Sequence, residues 1–231
     1  MIHAVLTIDD IASLNTPAIV DYLNVKGITA LMFAVGENVE KHYDNAIYAL
    51  QHGMIVGNHS YSHPAFSNLT LEDAINEIEK NEGILNKLYE DAGVKRIYRP
   101  FRFPYGDKGG DIKNELQTYF KSHGFDKLKD TQIPYEWWKD QGLDTDIDTL
   151  WTFDFAEYNI RPGNDFSIDD VWKRIEDTSP ESGAALLEDG GNHILLLHAH
   201  DETEEMEPGY YKRFIDYLLD KGVTFDKPEF I

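Results

Sequence analysis

The sequence of 231 residues contains no cysteine. That excludes disulfides, thiolate nucleophiles and sulfur-ligated metal, so any ion must sit among nitrogen and oxygen donors. Cations are scarce: 21 Lys and Arg face 42 Asp and Glu, a formal net charge of −21. So acidic a surface repels nucleic acid and anionic lipid, and it suits a neutral or cationic ligand; it also simply keeps a protein soluble. No run approaches about 20 apolar residues, so no membrane insertion is expected. No basic segment followed by an apolar stretch opens the chain, which passes from Met1 into the strand-like run Ile2-His3-Ala4-Val5-Leu6. The expectation is a cytoplasmic protein as the sequence stands, or a secreted one if it is trimmed from a longer chain.

What is present is an ordinary core-forming fraction of hydrophobic residues, 42%, in a regular order. Short apolar runs at Ile2–Ile8, Ile28–Val35, Met54–Gly57, Ile97–Phe101, Leu150–Phe153, His193–Leu197 and Val223–Phe225 read as strands. Between them lie stretches with helical spacing: 16–26, 38–52, 70 to about 93, 110–122, 167–177 and 208–221, most of them stopped by glycine. Thr70-Leu71-Glu72-Asp73 reads as a capping box, and Ser167 as an N-cap. Alternating strands and helices with short joints imply parallel strands and helical crossovers, an α/β fold. No linker or break in composition divides the chain, so residues 1–231 read as a single domain. Residues 126–148 have no clean period and hold Trp137-Trp138.

The polar residues collect just after strands. His59 and His63, in Gly57-Asn58-His59-Ser60-Tyr61-Ser62-His63-Pro64, stand four residues apart. On a helical turn that spacing places two imidazoles on one face, about 5–6 Å apart at Cβ, close enough to share an ion. They could equally be two unrelated surface or capping histidines. Asp9-Asp10, Arg102, Asp154 with Glu157, and His198 with His200 also follow strands. Each has a plainer reading: aspartates cap helices, Arg102 is a surface charge, a histidine after an apolar strand is a satisfied core residue. In a parallel barrel, however, all strand carboxyl ends open on one face, and five such clusters would meet in one pocket. Asn58-His59-Ser60 also fits a glycosylation sequon, which is discounted because it falls inside that pocket.

The order of Thr7-Ile8-Asp9-Asp10, His59 to His63, Arg102-Phe103-Pro104-Tyr105-Gly106, Trp151 to Tyr158 and Leu196-Leu197-His198 resembles the polysaccharide deacetylases, the NodB-homology domains of carbohydrate esterase family four. The resemblance runs from residue 2 to about 220. It implies a distorted (β/α) barrel, commonly seven-stranded, and metal-dependent removal of acetyl from N- or O-acetylated sugars. It implies that Asp10, His59 and His63 hold the metal (Zn2+, or another divalent first-row ion such as Co2+, Ni2+ or Mn2+). It further implies Asp9 as general base, Arg102 as its orienting partner, the Tyr105 N–H as an oxyanion donor and His198 as general acid, tuned by Asp154 and Glu157. An acetylated carbohydrate would be the partner. His200 is the rival candidate for the acid. Tyr158 stands as a substrate contact, and the long segment holding Trp137 and Trp138 is expected on or beside the strand-end face, where the two rings either serve as a sugar platform or simply seal the segment onto the barrel. Two departures stand out. Ile11-Ala12 follow the aspartates where the family has Gly-Pro, and Glu157-Tyr158 stand where it has Asp-Trp. Two other classes remain, an allantoinase-like hydrolase of a small non-sugar amide and a non-catalytic glycan-binding relative.

Overall fold

The computed structural model describes residues 1–231. At its centre is β1 (Ile2–Ile11), buried over most of its length. One edge of β1 pairs in parallel with β5 (Asn192–His198). The other edge pairs with β2 (Leu31–Ala34) toward its carboxyl end and with β6 (Val223–Phe225) toward its amino end. Outside these lie β3 (Ile55–Asn58) and β4 (Phe153–Asp154), giving the order β3-β2-β1-β5-β4. The crossovers are helical, as parallel pairing requires. They comprise α1 (Thr16–Lys26), α2 (Gly36–Lys41), α3 (Tyr43–Gln51), α4 (Leu71–Ala92), α5 (Lys113–Ser122), α6 (Glu136–Asp140), α7 (Ile168–Glu176), α8 (Asp201–Met206) and α9 (Tyr210–Asp220). Their ends follow local chemistry. Thr70 Oγ1 accepts the Asp73 N–H at 3.1 Å, Gly93 ends α4 at φ 68°, and Ser167 with Asp170 forms a reciprocal capping box on α7.

The pleat of β1 sorts its side chains between two cores. Ile2, Ala4, Leu6 and Ile8 belong to the large core under the helices, while Val5 packs inside the sheet's curve with Leu31, Phe33, Trp138 and Ile194. The odd positions Thr7 and Asp9 therefore also face inward, where Arg102 meets them. The segment 149–154 joins the sheet's two outer edges. Thr149 N–H donates to the Phe101 carbonyl at 2.8 Å, and Thr152 N–H donates to that of Ile194 at 2.9 Å. The result is the distorted barrel expected.

Some elements are shorter than the sequence pattern suggests, for local reasons. The run 97–101 contributes a single bridge, Phe101 beside Asn58, rather than a strand. Pro100 has no N–H to donate and holds Arg99 away from regular pairing; only its carbonyl is used, accepting from Asn58 N–H at 2.9 Å. Six strands and this bridge thus fill the seven expected positions. β4 begins late because the carbonyls of Thr149 and Leu150 accept from the Arg102 guanidinium at 2.9 and 3.3 Å instead of joining a ladder. The stretch 38–52 is two helices broken at His42, which leaves the helical region at φ −127°, ψ 46°. No helix is long and apolar enough to cross a membrane.

Candidate metal centre and reaction pocket

A cavity of about 450 Å³ opens where β1, β3, β4 and β5 end. Asp9, Asp10, His59, His63, Tyr105, Trp151, Asp154, Tyr158, Arg161, Leu196, His198 and His200 line it. Two neighbouring carboxylates in a strand should point to opposite faces. Here both reach one cavity because the β1–β2 register slips between Ile8 and Ile11 and Asp10 turns to φ 65°. Asn38 holds that turn, its Nδ2–H donating to the Asp10 carbonyl at 2.9 Å.

The histidines converge without a helical turn. Residues 59–63 form an irregular bend with Ser60 at φ 64° and His63 at φ 60°, which corrects the helical reading of their spacing. Side-chain acceptors, one buried and one half-buried, impose the bend. Asn58 Oδ1 accepts from Ser60 N–H at 2.8 Å, and Glu77 on α4 accepts from the N–H groups of Tyr61 and Ser62. Asn58 is itself held by Asn81 and Glu82. Arg96 and Arg99 both pair with Glu82 at 2.9 Å. The two imidazole centroids end 4.9 Å apart.

His59 Nδ1–H donates to the Arg102 carbonyl at 2.8 Å. That fixes the tautomer and leaves the Nε2 lone pair facing Asp10 Oδ1 at 3.5 Å; His63 Nε2 faces the same oxygen at 3.3 Å. Donors around one ion with bonds of about 2.0–2.1 Å stand roughly 3.3 Å apart. Asp10 Oδ1 is buried and has no hydrogen-bond partner, so this donor set fits a divalent ion. Its protonation fits too. Burial pushes His63 down to about 4, leaving it neutral. Burial would raise Asp10, but the bond from His200 and the surrounding imidazoles hold it well below the usual carboxylate range. Ligands must be unprotonated to bind.

Asp9 lies beside this group. Its Oδ1 accepts from Arg102 Nη1 at 2.8 Å, and its Oδ2 is 3.4 Å from His59 Nε2. Arg102 is fully buried, stacked 4.5 Å over Phe33 and bonded also to Thr7 Oγ1. Asp9 and His198 are register partners on adjacent strands. Glu157 Oε1 accepts from the His198 backbone N–H and from its Nδ1–H, the latter at 3.3 Å. Burial opposes charge on His198, yet the Glu157 carboxylate, then Asp10 and Asp9, push it up to about 10. Asp154, also in the cavity, is pushed up to about 6 by burial. Thus His198 engages Glu157, while His200 donates to Asp10 Oδ2 at 2.6 Å. Tyr105, at φ 59° and exposed, sets its ring edge-on to His63, and Tyr158 sets its ring against His198.

The platform expected from Trp137 and Trp138 is not at this cavity. Trp138 is buried between Val5, Phe33 and Leu143, with its Nε1–H donated to Asp130 at 2.8 Å. Trp137 stacks on Tyr135, whose hydroxyl lies 3.1 Å from Nε2 of His193 at the amino end of β5, the opposite end of the sheet. Two adjacent large apolar rings closing a core explain the segment without a ligand. The aromatic residues at the cavity are instead Tyr105, Trp151 and Tyr158. Arg161 lines it as well; in the sequence nothing but its place four residues after Glu157 flags it.

A family model described as polysaccharide deacetylase matches residues 2–127, more than half of the chain. The chain belongs to the polysaccharide deacetylase family. It is 38% identical over 114 residues to a peptidoglycan-N-acetylglucosamine deacetylase of Bacillus cereus, covering 48% of this chain and 38% of that protein. It is 27% identical over 205 residues to the peptidoglycan-N-acetylmuramic acid deacetylase PdaC of Bacillus subtilis, covering 87% of this chain and 39% of that protein. The chain therefore spans about two-fifths of the length of these curated relatives. A crystal structure of a peptidoglycan N-acetylglucosamine deacetylase superposes with a TM-score of 0.67 at 24% identity, over 97% of this chain and 85% of that one. At that identity the likeness establishes the fold.

Proposed function

We propose that this polysaccharide deacetylase domain hydrolyses acetyl groups from N- or O-acetylated sugars, with Asp10, His59 and His63 holding a divalent ion, zinc or Co2+, Ni2+ or Mn2+. The observation that carries the reading is the pairing of Asp9 and His198 across one rung of the sheet, beside an N/N/O donor set whose buried Asp10 Oδ1 has no hydrogen-bond partner. A bound divalent ion supplies Lewis-acid polarisation of the acetyl carbonyl and a more acidic water. Asp9, oriented by Arg102, accepts the proton of the attacking water. His198 keeps a proton at neutral pH because of Glu157 and delivers it from Nε2 to the departing amine or alkoxide. The Tyr105 N–H is the oxyanion donor in this scheme, at a backbone position turned to positive φ beside His63. Leu196, Trp151 and Tyr158 wall the cavity around the acetyl methyl.

The test is acetate release from N-acetylated glucosamine oligomers, peptidoglycan fragments and acetylated xylan, run with the protein stripped of metal and then reloaded with zinc. Release that needs the ion and is lost in Asp9→Asn, with ion binding retained, is the expected result. Cleavage of a cyclic ureide with no acetate released from any sugar would replace this reading with the small-amide hydrolase.

A further inference from the structure

Asp10 divides its two oxygens between two neighbourhoods. Oδ1 is the buried oxygen without a hydrogen-bond partner, facing His59 and His63. Oδ2 accepts from His200 Nε2–H at 2.6 Å. We infer that His200 is a positioning residue for the ion site: it claims Oδ2 and so holds Asp10 with one oxygen, Oδ1, offered to the ion. The inference rests on the reading that Asp10, His59 and His63 bind a divalent ion.

The surroundings of His200 support this. The β5–α8 joint is tied on one side of His200 to β1 and on the other to the loop that follows β1. Ala199 N–H donates to the Asp9 carbonyl at 3.0 Å. The carboxylate of Asp201 accepts from the N–H groups of Leu14 and Asn15 at 3.1 and 2.9 Å. Between these ties His200 has little freedom to leave Asp10. Asp10 in turn is held at its backbone by Asn38 on α2, so main chain and side chain are fixed from different elements. Hydrogen-bond partners of ligating groups set ligand orientation and basicity, and their loss weakens ion binding by about 10–100-fold. His200 serves Asp10 and not the proton transfer, because its Nε2–H is committed to Oδ2 while His198 holds Glu157.

The experiment measures zinc affinity of the whole chain by chelator competition, for wild type, His200→Ala and His200→Gln, with Co2+ absorption spectra of the saturated proteins. His200→Ala is expected to bind zinc about 10–100-fold more weakly. His200→Gln recovers part of that loss, because its amide N–H can reach Oδ2. The saturated His200→Ala protein keeps the wild-type Co2+ bands, since the ligands are unchanged. Affinity of His200→Ala within about twofold of wild type, below the range such partners command, would overturn the inference. So would a Co2+ spectrum altered in band position and intensity, which would make His200 itself a ligand. Asp10→Ala separates the two levels: unchanged zinc binding in that variant refutes the ion site itself.

Discussion

Replacing Glu157 by Gln should move the alkaline edge of activity toward neutrality. Glu157 is fully buried, and its Oε1 accepts from both the backbone N–H and the Nδ1–H of His198. Gln keeps the volume and an acceptor oxygen but removes the charge. The groups facing His198 from neighbouring elements are Asp9 and Asp10 on β1, Asp154 on β4, the Tyr158 ring at 4.7 Å and the His200 ring at 5.3 Å; the Tyr210 hydroxyl donates to its carbonyl. Of the contributions that keep its proton, Glu157 is the largest. A hydrogen bond to a charged partner contributes about 1.5–3 kcal/mol. At about 1.36 kcal/mol per tenfold change in proton affinity, that is roughly one to two pH units. The sign follows from a raised pKa. His198 is protonated in either variant well below its ordinary 6.5, and in wild type it keeps the proton until the pH passes about 10. The alkaline limb of kcat/KM for acetate release, which reports the free enzyme's acid, should therefore fall at high pH in wild type and about one to two pH units lower in Glu157→Gln. Titration of the His198 ring by NMR checks the assignment directly. Coincident limbs in the two proteins would refute the coupling.

Arg102→Met leaves the buried Asp9 without its counter-ion; a loss of about 3–5 kcal/mol in denaturant unfolding is expected, together with loss of acetate release. Trp138→Phe removes the donor to buried Asp130 and should cost about 1–3 kcal/mol with no change in how KM depends on oligomer length. Asp154→Asn should raise the melting temperature more at pH 8 than at pH 5. Burial lifts Asp154 to about 6, so the stability tied to its proton is full below its ordinary 3.8 and lost as pH rises through about 6. Thermal scans at the two pH values measure the difference.

Much of this was legible from residue order. Glycine stops and capping residues placed the helices, and apolar runs placed β1 and β5, because these signals are local. What escaped depends on partners distant in the chain. Pro100 and the claim of Arg102 on two carbonyls shortened strands whose composition looks sufficient. The shared cavity of Asp9 and Asp10 needs a left-handed residue that no side-chain pattern announces. His198 and His200 are chemically alike in sequence; only the positions of Glu157 and Asp10 distinguish them. Trp137 and Trp138 show the same ambiguity from the other side, since an aromatic pair serves a core as readily as a ligand.

Every non-glycine residue at positive φ in this chain lies at the cavity or beside it: Asp10, Ser60, His63, Tyr105 and Ala156, the last next to Glu157. Such conformations cost about 1–3 kcal/mol each and persist only while their neighbours hold them. Apart from Asp10, near the carboxyl end of β1, the strain is concentrated in the bends, so bends and sheet should resist heat differently. Local opening of 59–63 and 104–106 is expected to precede loss of the sheet, with faster amide exchange there than in β1. A half-life of activity at raised temperature would then report on these bends, and should end while the barrel is still folded.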